Sequence, residues 1–252
     1  MKDLAMRPNE PTVKEFYQDR YQRTSSVWVD DYGQSSNNTP YLIFSNTSFY
    51  PHGGGQKGDR GILHIPLEIS QASGLPTELV ILDTHKVDDF IHHFVEPGVD
   101  LQLIEEHLVG AQKFDAALNW EFRYTQMRLH TIAHLLHCFI EKSLGKELAF
   151  PSYSELKEAQ GINRYPLPNL VNEDQFQDAV ASLNTWMAGD HPIKIYANDD
   201  PEFPNWYRWW ECDSWRIPCG GVHPANTNEV GNFKATLSSK KGNTTMTFEL
   251  AA

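Results

Sequence analysis

Four side chains that commonly bind metal ions occur in two pairs, and in each pair the partners are four residues apart. His130 and His134 fall in a segment with helical periodicity, so both imidazoles project from one helix face. Cys219 and His223 flank Gly220-Gly221, and the two glycines let that turn fold back so that both side chains face one point. Three histidines and one cysteine form a workable ligand set for zinc, which favours four such ligands. The sequence therefore predicts a zinc site built from a helix and a turn.

Two alternatives bear on this site. In the helical metalloprotease motif a glutamate base directly follows the first histidine, whereas Thr131 stands there, which disfavours peptidase chemistry. His137 follows His134 by three residues and could replace one ligand, or it could be a sheltered polar residue beside Cys138. Either pair alone is weak evidence, because short motifs often occur without metal. The combination of the two pairs carries the prediction.

A glycine-rich segment, Thr47–Gly61, forms a second candidate site with the sequence TSFYPHGGGQKGDRG. Consecutive glycines let backbone N–H groups approach a bound group, often an anion. The segment is not a nucleotide-binding P-loop, because the Gly-Lys-Ser/Thr sequence is absent, and no helix follows as in a dinucleotide-binding fold. On spacing alone, a flexible hairpin turn is the favoured interpretation.

The elements that must position these residues change character near Asn119. Up to residue 118, short apolar runs are separated by Gly, Asn, Asp and Pro, which is typical of a small antiparallel barrel or sandwich. These predicted strands cover 27–29, 41–44, 79–82 and 87–95. Beyond residue 118 the pattern predicts two helices, a strand and a terminal hairpin. These elements cover 119–144 (ending at Gly145), 173–187 (begun by Asn172), 193–196 and 231–250.

The predicted fold class is therefore α+β. Residues 1–118 are expected to form a small antiparallel β-barrel domain that carries the glycine-rich motif. Residues 119–252 are expected to form a two-layer α+β domain that carries the zinc site.

Composition limits the classes of partner and compartment. Among 252 residues, 33 are acidic and 21 basic, so the net charge of −12 argues against a surface that coats nucleic acid generally. A local basic groove stays possible. The chain has three cysteines, a polar N-terminus and no apolar run of membrane-spanning length, so we expect a cytoplasmic protein without disulfides or membrane contact.

Three motifs, in order, resemble the editing domains of alanyl-tRNA synthetases. Thr47–Gly61 resembles their T-x-F-Y-x-x-x-G-G-Q-x-x-D-x-G stretch, and 128–137 resembles R-x-H-T-A-x-H-L-L with Ile132 in place of an alanine. The segment 218–231 resembles their C-G-G-T-H turn and its continuation, with Val222 in place of the threonine. No aminoacylation core precedes the motifs, so the resemblance is to the free-standing AlaX-type trans-editing proteins of medium length.

The resemblance implies an aminoacyl-tRNA deacylase that hydrolyses the ester of mischarged tRNA(Ala), chiefly Ser-tRNA(Ala) and in some members Gly-tRNA(Ala). It makes zinc the cofactor and makes tRNA(Ala) the partner, with no requirement for ATP expected. The four zinc ligands carry over to the residues named above. Gln56 and Thr47 fall on positions that line the amino-acid pocket, where the hydroxyl of Thr47 could bond a serine side chain. The backbone N–H groups of Gly53–Gly55, among them Gly54 and Gly55, or those of Gly220-Gly221 are candidates to hold the oxyanion.

Two functions from other classes stay open on the sequence. A non-catalytic zinc module could bind tRNA, with the metal serving only folding. A zinc hydrolase could act on a small ester or amide. Aromatic residues could stack on the tRNA 3′ end, but they are also expected in a core or interface. These aromatic residues are Trp206, Tyr207, Trp209, Trp210 and Trp215.

Overall fold

The structure is a computed structural model that describes residues 10–204 and 207–251, so Trp206 lies outside the described residues. Two compact units make up the chain. The first unit comprises residues to 53 and Lys57–Arg123, and the second comprises Gly54–Gln56 and the residues from Tyr124 onward. The domain limit at 118/119 stays a prediction.

A closed barrel of six antiparallel strands dominates the first unit. The strands of this unit are β1 (Val13–Lys14), β2 (Thr24–Gln34), β3 (Pro40–Phe44), β4 (Asn46–Thr47), β5 (Gly61–His64), β6 (Glu78–Val87), β7 (Phe90–Val95) and β8 (Lys113–Leu118). The barrel order is β2-β3-β7-β6-β5-β8, while β1 pairs with β4 in parallel. The predicted α+β class is confirmed, and the predicted barrel or sandwich is a barrel.

Alternation of apolar and polar side chains fills the barrel. In β2, Val27 and Val29 are fully buried while Trp28 between them is exposed, as the two-residue period of a strand requires. The predicted strand 87–95 was wrong at its start, because Asp88 adopts a positive φ of 54° and turns the chain between β6 and β7. Two short helices, α1 (Leu67–Ser73) and α2 (Leu101–His107), were not predicted from the sequence.

The second unit combines helices with two antiparallel sheets. Helix α3 (Trp120–Leu144) begins in the first unit and continues in the second, and α4 (Glu173–Met187) follows. The strands are β9 (Tyr153–Leu156), β10 (Gln160–Tyr165), β11 (Ile193–Ala197), β12 (Arg208–Cys212), β13 (Trp215–Pro218), β14 (Phe233–Lys240) and β15 (Asn243–Leu250). The sheet orders are β14-β15-β10-β9 and β11-β12-β13.

Local signals set the ends of these elements. Asn172 and Gln175 form a reciprocal capping box at the start of α4. Gly145, with a φ of 63°, follows α3 directly, and Lys241 and Gly242 supply the two positive φ values of a two-residue hairpin loop. Among the described residues, no helix combines the length and apolar character needed to cross a membrane.

Candidate metal centre and adjoining pocket

The four predicted metal ligands converge in the second unit. His130 and His134 project from α3, Cys219 directly follows β13, and the ligand atoms of these residues and His223 lie within 4.8 Å of one another. The Sγ atom of Cys219 is 3.7 Å from Nε2 of His130 and 3.4 Å from Nε2 of His223. Tetrahedral zinc, with bonds of about 2.3 Å to sulfur and 2.0–2.1 Å to nitrogen, places such atoms about 3.6 Å apart. The spacing therefore suits a shared tetrahedral ion.

Gln56 fixes the orientation of the first ligand. Its Oε1 accepts a hydrogen bond from the backbone N–H of Val222 at 3.2 Å, which identifies this atom as the amide oxygen. The same oxygen is 3.0 Å from Nδ1 of His130, so Nδ1 carries the proton and donates it. The lone pair of His130 then lies on Nε2, the atom that approaches Cys219. A hydrogen-bond partner of this kind orients a metal-binding imidazole and sets its tautomer.

Thr131 performs the same task for His223. Its hydroxyl donates to the carbonyl of Met127 at 3.0 Å, so its oxygen accepts from Nδ1 of His223, also at 3.0 Å. Nε2 of His223 is thereby left as the nitrogen with the lone pair. In the sequence, Thr131 stands out only because it occupies the position of a metalloprotease glutamate, and its contact with His223 could not be predicted from that position.

The third histidine provides the test of whether a metal fits. Nε2 of His134 is buried and has no hydrogen-bond partner among the residues that the structure describes. A buried polar atom without a partner is costly, and a coordinated cation removes that cost. With three oriented donors beside it and zinc-compatible chemistry in all four, the residues fit a zinc ion.

The turn that carries Cys219 requires a glycine close to the histidines. A Cβ atom at Gly221 would lie 2.3 Å from Cε1 of His130 and 3.1 Å from Oε1 of Gln56. The backbone N–H of Gly221 donates to Sγ of Cys219 at 3.3 Å. A side chain at this position would therefore displace both a ligand and the residue that orients it.

Burial keeps the ligands uncharged in the absence of a cation. It lowers the pKa of His130 to about 4 and lowers the pKa of His134 well below its usual value. Burial raises the pKa of the Cys219 thiol to about 12. The imidazoles of His130 and His134 are therefore neutral, as metal binding requires, and the thiolate of Cys219 needs a positive partner to form.

A cavity of about 160 Å³ adjoins two of the ligands. Its lining residues are Gly54, His130, Ala133, His134, His137, Phe150, Pro151, Ser154, Asn163, Ile217 and Pro218. Asn163 is almost fully buried, donates from Nδ2 to the carbonyl of Ala133 at 2.9 Å, and accepts from Oγ of Ser154 at 2.7 Å. The polar part of the lining is thus held rigidly.

The glycine-rich segment is divided between the two units. Gly54, Gly55 and Gln56 belong to the unit that holds the metal ligands, and Gly54 lines the cavity. Gly55 has a φ of 82° and passes so close to β9 that a Cβ atom would be 2.7 Å from the carbonyl oxygen of Ser154. Its own carbonyl accepts from the N–H of Leu156 at 2.8 Å.

Thr47 belongs to the first unit and is fully buried. Nδ1 of His93 donates a hydrogen bond to the carbonyl of Leu42 at 3.2 Å. Its Nε2 therefore accepts from the Thr47 hydroxyl at 2.9 Å. The hydroxyl oxygen also accepts from the N–H of Phe49. The pocket role of Thr47 stays a prediction.

His137 does not belong to the ligand cluster formed by the described residues. Its Nδ1 is 3.0 Å from the hydroxyl of Tyr165 and its Nε2 is 3.6 Å from a carboxylate oxygen of Glu141. Of the two alternatives for His137, a replacement ligand or a sheltered polar residue, the structure supports the second. His137 also lines the cavity.

Comparisons with known proteins identify the relatives of this chain. No family model matches it. Over 92% of its length it is 26% identical to the alanyl-tRNA editing protein AlaX-M of Pyrococcus horikoshii and covers 93% of that protein. The chain is a homologue of the AlaX-type editing proteins.

The same comparison extends to much longer proteins. The chain is 28% identical to the alanine–tRNA ligase of Sulfurisphaera tokodaii and 31% identical to that of Saccharolobus islandicus, over 89% of its length in both cases. It spans about a quarter of the length of these ligases. The resemblance found from the three motifs is thereby confirmed.

Proposed function

We propose that this homologue of AlaX-type editing proteins is an aminoacyl-tRNA deacylase that hydrolyses Ser-tRNA(Ala), with Gly-tRNA(Ala) as a second substrate. The observation that carries the proposal is that the four-ligand cluster opens onto a small cavity through His130 and His134. The names of the relatives support tRNA(Ala) as the partner, since one is an alanyl-tRNA editing protein and others are alanine–tRNA ligases.

The size of the cavity favours a small aminoacyl group. At about 160 Å³ it is well below the roughly 300 Å³ at which sites for drug-sized ligands begin. The hydroxyl of Ser154 already donates to Asn163, so its oxygen is available to accept from a serine hydroxyl. Such a contact supports serine over alanine, because a site built to bond a hydroxyl rejects the analogue that lacks it. Thr47 stays the alternative residue for this contact.

Zinc bound by His130, His134, Cys219 and His223 would supply positive charge that can polarise a carbonyl or a water molecule, or fix the substrate amino group. The chain's own groups then position the ester. The backbone N–H of Gly54 is the candidate donor toward the oxyanion, because this residue lines the cavity. Gln56 accepts hydrogen bonds from both His130 and the backbone of Val222, and so fixes the imidazole relative to the turn. We propose the backbone of Gly55 as a second donor of this kind.

Release of labelled amino acid from Ser-, Gly- and Ala-tRNA(Ala) tests the proposal. We expect the wild-type protein to hydrolyse the seryl ester fastest and to spare the alanyl ester. His134→Ala should lose zinc and reduce the rate by about 100-fold or more, the scale at which a single electrostatic stabiliser acts. His64→Ala, at an exposed barrel position, is the matched control and should retain both zinc and activity.

Three outcomes would contradict the proposal. Full activity of His134→Ala without bound zinc would exclude the metal from the reaction. Binding of tRNA without turnover would indicate a non-catalytic zinc module. Equal turnover of a free seryl ester and of Ser-tRNA(Ala) would indicate a hydrolase of small esters.

A further inference from the structure

An exposed aromatic ring stands at the border of the cavity. Phe150 lies between α3 and β9, lines the same cavity as His130 and His134, and remains 53% exposed. Phe150 is the most exposed of the large aromatic side chains that the structure describes, whereas Trp210 is fully buried. An apolar ring left open at the mouth of a polar site is suited to contact a bound ligand.

Neighbouring residues hold this ring in place. The carboxylate of Glu141 accepts from the N–H of Leu148 at 2.7 Å and thereby ties the loop that carries Phe150 to α3. The same carboxylate oxygen is 3.6 Å from Nε2 of His137, whose ring centre is 5.2 Å from that of Phe150. Phe150 is therefore backed by an anchored ring on one side and open on the other. A contact surface fixed before binding loses less entropy when the ligand arrives.

We propose that the base of the tRNA's terminal nucleotide stacks on Phe150 while the aminoacyl group occupies the cavity. This inference rests on the proposed function. The amino acid is esterified to the terminal ribose, so the base of that nucleotide must lie one sugar away, at the cavity mouth. Bases stack on aromatic side chains regardless of net charge, which suits a chain with a net charge of −12. Phe150 acts here as a positioning residue for the ester.

Steady-state kinetics with Ser-tRNA(Ala) test the platform. Phe150→Ala should raise KM by about 5- to 150-fold, which is about 1–3 kcal/mol at 1.4 kcal/mol per tenfold, with kcat changed far less. Phe150→Trp should restore KM, because the larger ring also stacks. Leu167→Ala is the control, since Leu167 is 47% exposed but does not line the cavity.

A second substrate makes the test specific to the base. The second substrate is Ser-tRNA(Ala) whose terminal nucleotide lacks its base. Its KM with the wild-type protein should be raised as much as the KM of Phe150→Ala for the intact substrate. The KM of Phe150→Ala should not rise further when the base is removed. If removal of the base raised the KM of Phe150→Ala by the same factor as it raises the KM of the wild-type protein, the ring would contact the aminoacyl group and not the base. That result would overturn the proposal. An unchanged KM for Phe150→Ala on the intact substrate would also overturn it. If the wild-type protein hydrolysed no Ser-tRNA(Ala), the proposed function itself would fail, which is a different result.

Discussion

At the scale of single residues, the candidate metal centre depends on side chains that are not among its four proposed ligands. Gln56 and Thr131 accept the Nδ1 protons of His130 and His223, so that Nε2 of each imidazole has the lone pair with which it can bind a metal. Gln56 is fully buried, and its Nε2 has no hydrogen-bond partner in the described part of the chain. A side chain with this geometry can orient a ligand and still offer a hydrogen bond to a substrate.

Substitution of Gln56 separates these two roles. Gln56→Leu removes the acceptor for both His130 and the backbone of Val222, so we expect zinc affinity to fall by about 10- to 100-fold. Gln56→Glu keeps an acceptor oxygen and should bind zinc at least as tightly as the wild-type protein, because a carboxylate raises imidazole basicity. Competition with a chromogenic chelator measures both affinities.

The matched pair of variants also has a clear negative outcome. Equal zinc affinity in Gln56→Leu and the wild-type protein would mean that the hydrogen bonds to His130 and Val222 do not support the site. Loss of deacylation in Gln56→Glu with zinc affinity retained would support the predicted contact between Gln56 and the substrate. Retention of both would leave Gln56 with the positioning role alone.

At the scale of elements, the acidic residue of the glycine-rich motif stabilises the barrel. Oδ2 of Asp59 accepts from the N–H of Tyr50 at 2.6 Å and from Nε of Arg123 at 2.7 Å. Arg123 also donates to the carbonyl of Ser48, and both members of the ion pair are buried. This network joins the start of the motif to the first turn of α3 within the first unit. Asp59 is thus a structural residue of the motif.

Removal of one member of this pair should be strongly destabilising. Asp59→Asn leaves the guanidinium of Arg123 buried opposite a neutral group, so we expect the free energy of unfolding to fall by about 3–5 kcal/mol. Urea denaturation followed by circular dichroism measures the change. The double variant Asp59→Asn/Arg123→Met should recover part of the loss, because no unpaired charge remains.

Asp115→Asn, at an exposed position of β8, is the control and should change the free energy of unfolding by less than about 0.5 kcal/mol. A loss as small in Asp59→Asn as in this control would contradict the argument.

The sequence was most informative where periodicity and caps agree. The predicted helix over 173–187 matches α4, because its apolar stripe and the Asn172 cap both mark its limits. Strands β9 and β10 were not predicted, because the segment around them is largely polar and one of them lies at a sheet edge.

Some residues of the candidate site could likewise be predicted from the sequence, and others could not. The clustering of the four candidate metal ligands could be predicted, because their residue types and four-residue spacing are typical of zinc-binding pairs. Asn163 and Phe150 could not, since a buried asparagine and an exposed phenylalanine acquire meaning only when distant segments form the cavity. The roles of Gln56 and Thr131 depend on hydrogen bonds to residues that are far away in the sequence. The spacing of residues within one motif does not reveal such contacts.

At the scale of the whole molecule, the negative charge constrains how a polyanion can be bound. Acidic residues outnumber basic ones by 33 to 21, so the overall field repels phosphates. The proposed recognition of a tRNA end would then depend on local contacts that do not require a positive field. A metal centre, a small cavity and an exposed ring at its border are contacts of that kind.

Buried neutral histidines also make the stability of the molecule depend on pH, and His93 in the barrel offers a test away from the metal ligands. Burial, opposed by the hydrogen bond from its Nδ1 to the Leu42 carbonyl, lowers the pKa of His93 to about 3 from 6.5. The adjacent imidazole of His92 acts in the same direction as burial. Between these two pH values the unfolded chain binds a proton at His93 that the folded chain does not. The free energy of unfolding therefore falls as the pH drops from 6.5 towards 3.

His93→Gln should remove this contribution while retaining polar groups near Thr47. The variant will be less stable at neutral pH, because the ring of His93 stacks on Phe44 at 4.0 Å, so the informative quantity is the slope of stability with pH. Free energies of unfolding from urea denaturation between about pH 5.5 and 4 should give the wild-type protein a slope steeper by about 1.4 kcal/mol per pH unit. Parallel slopes would mean that His93 is protonated in the folded barrel, contrary to its burial and to its role as acceptor for the Thr47 hydroxyl.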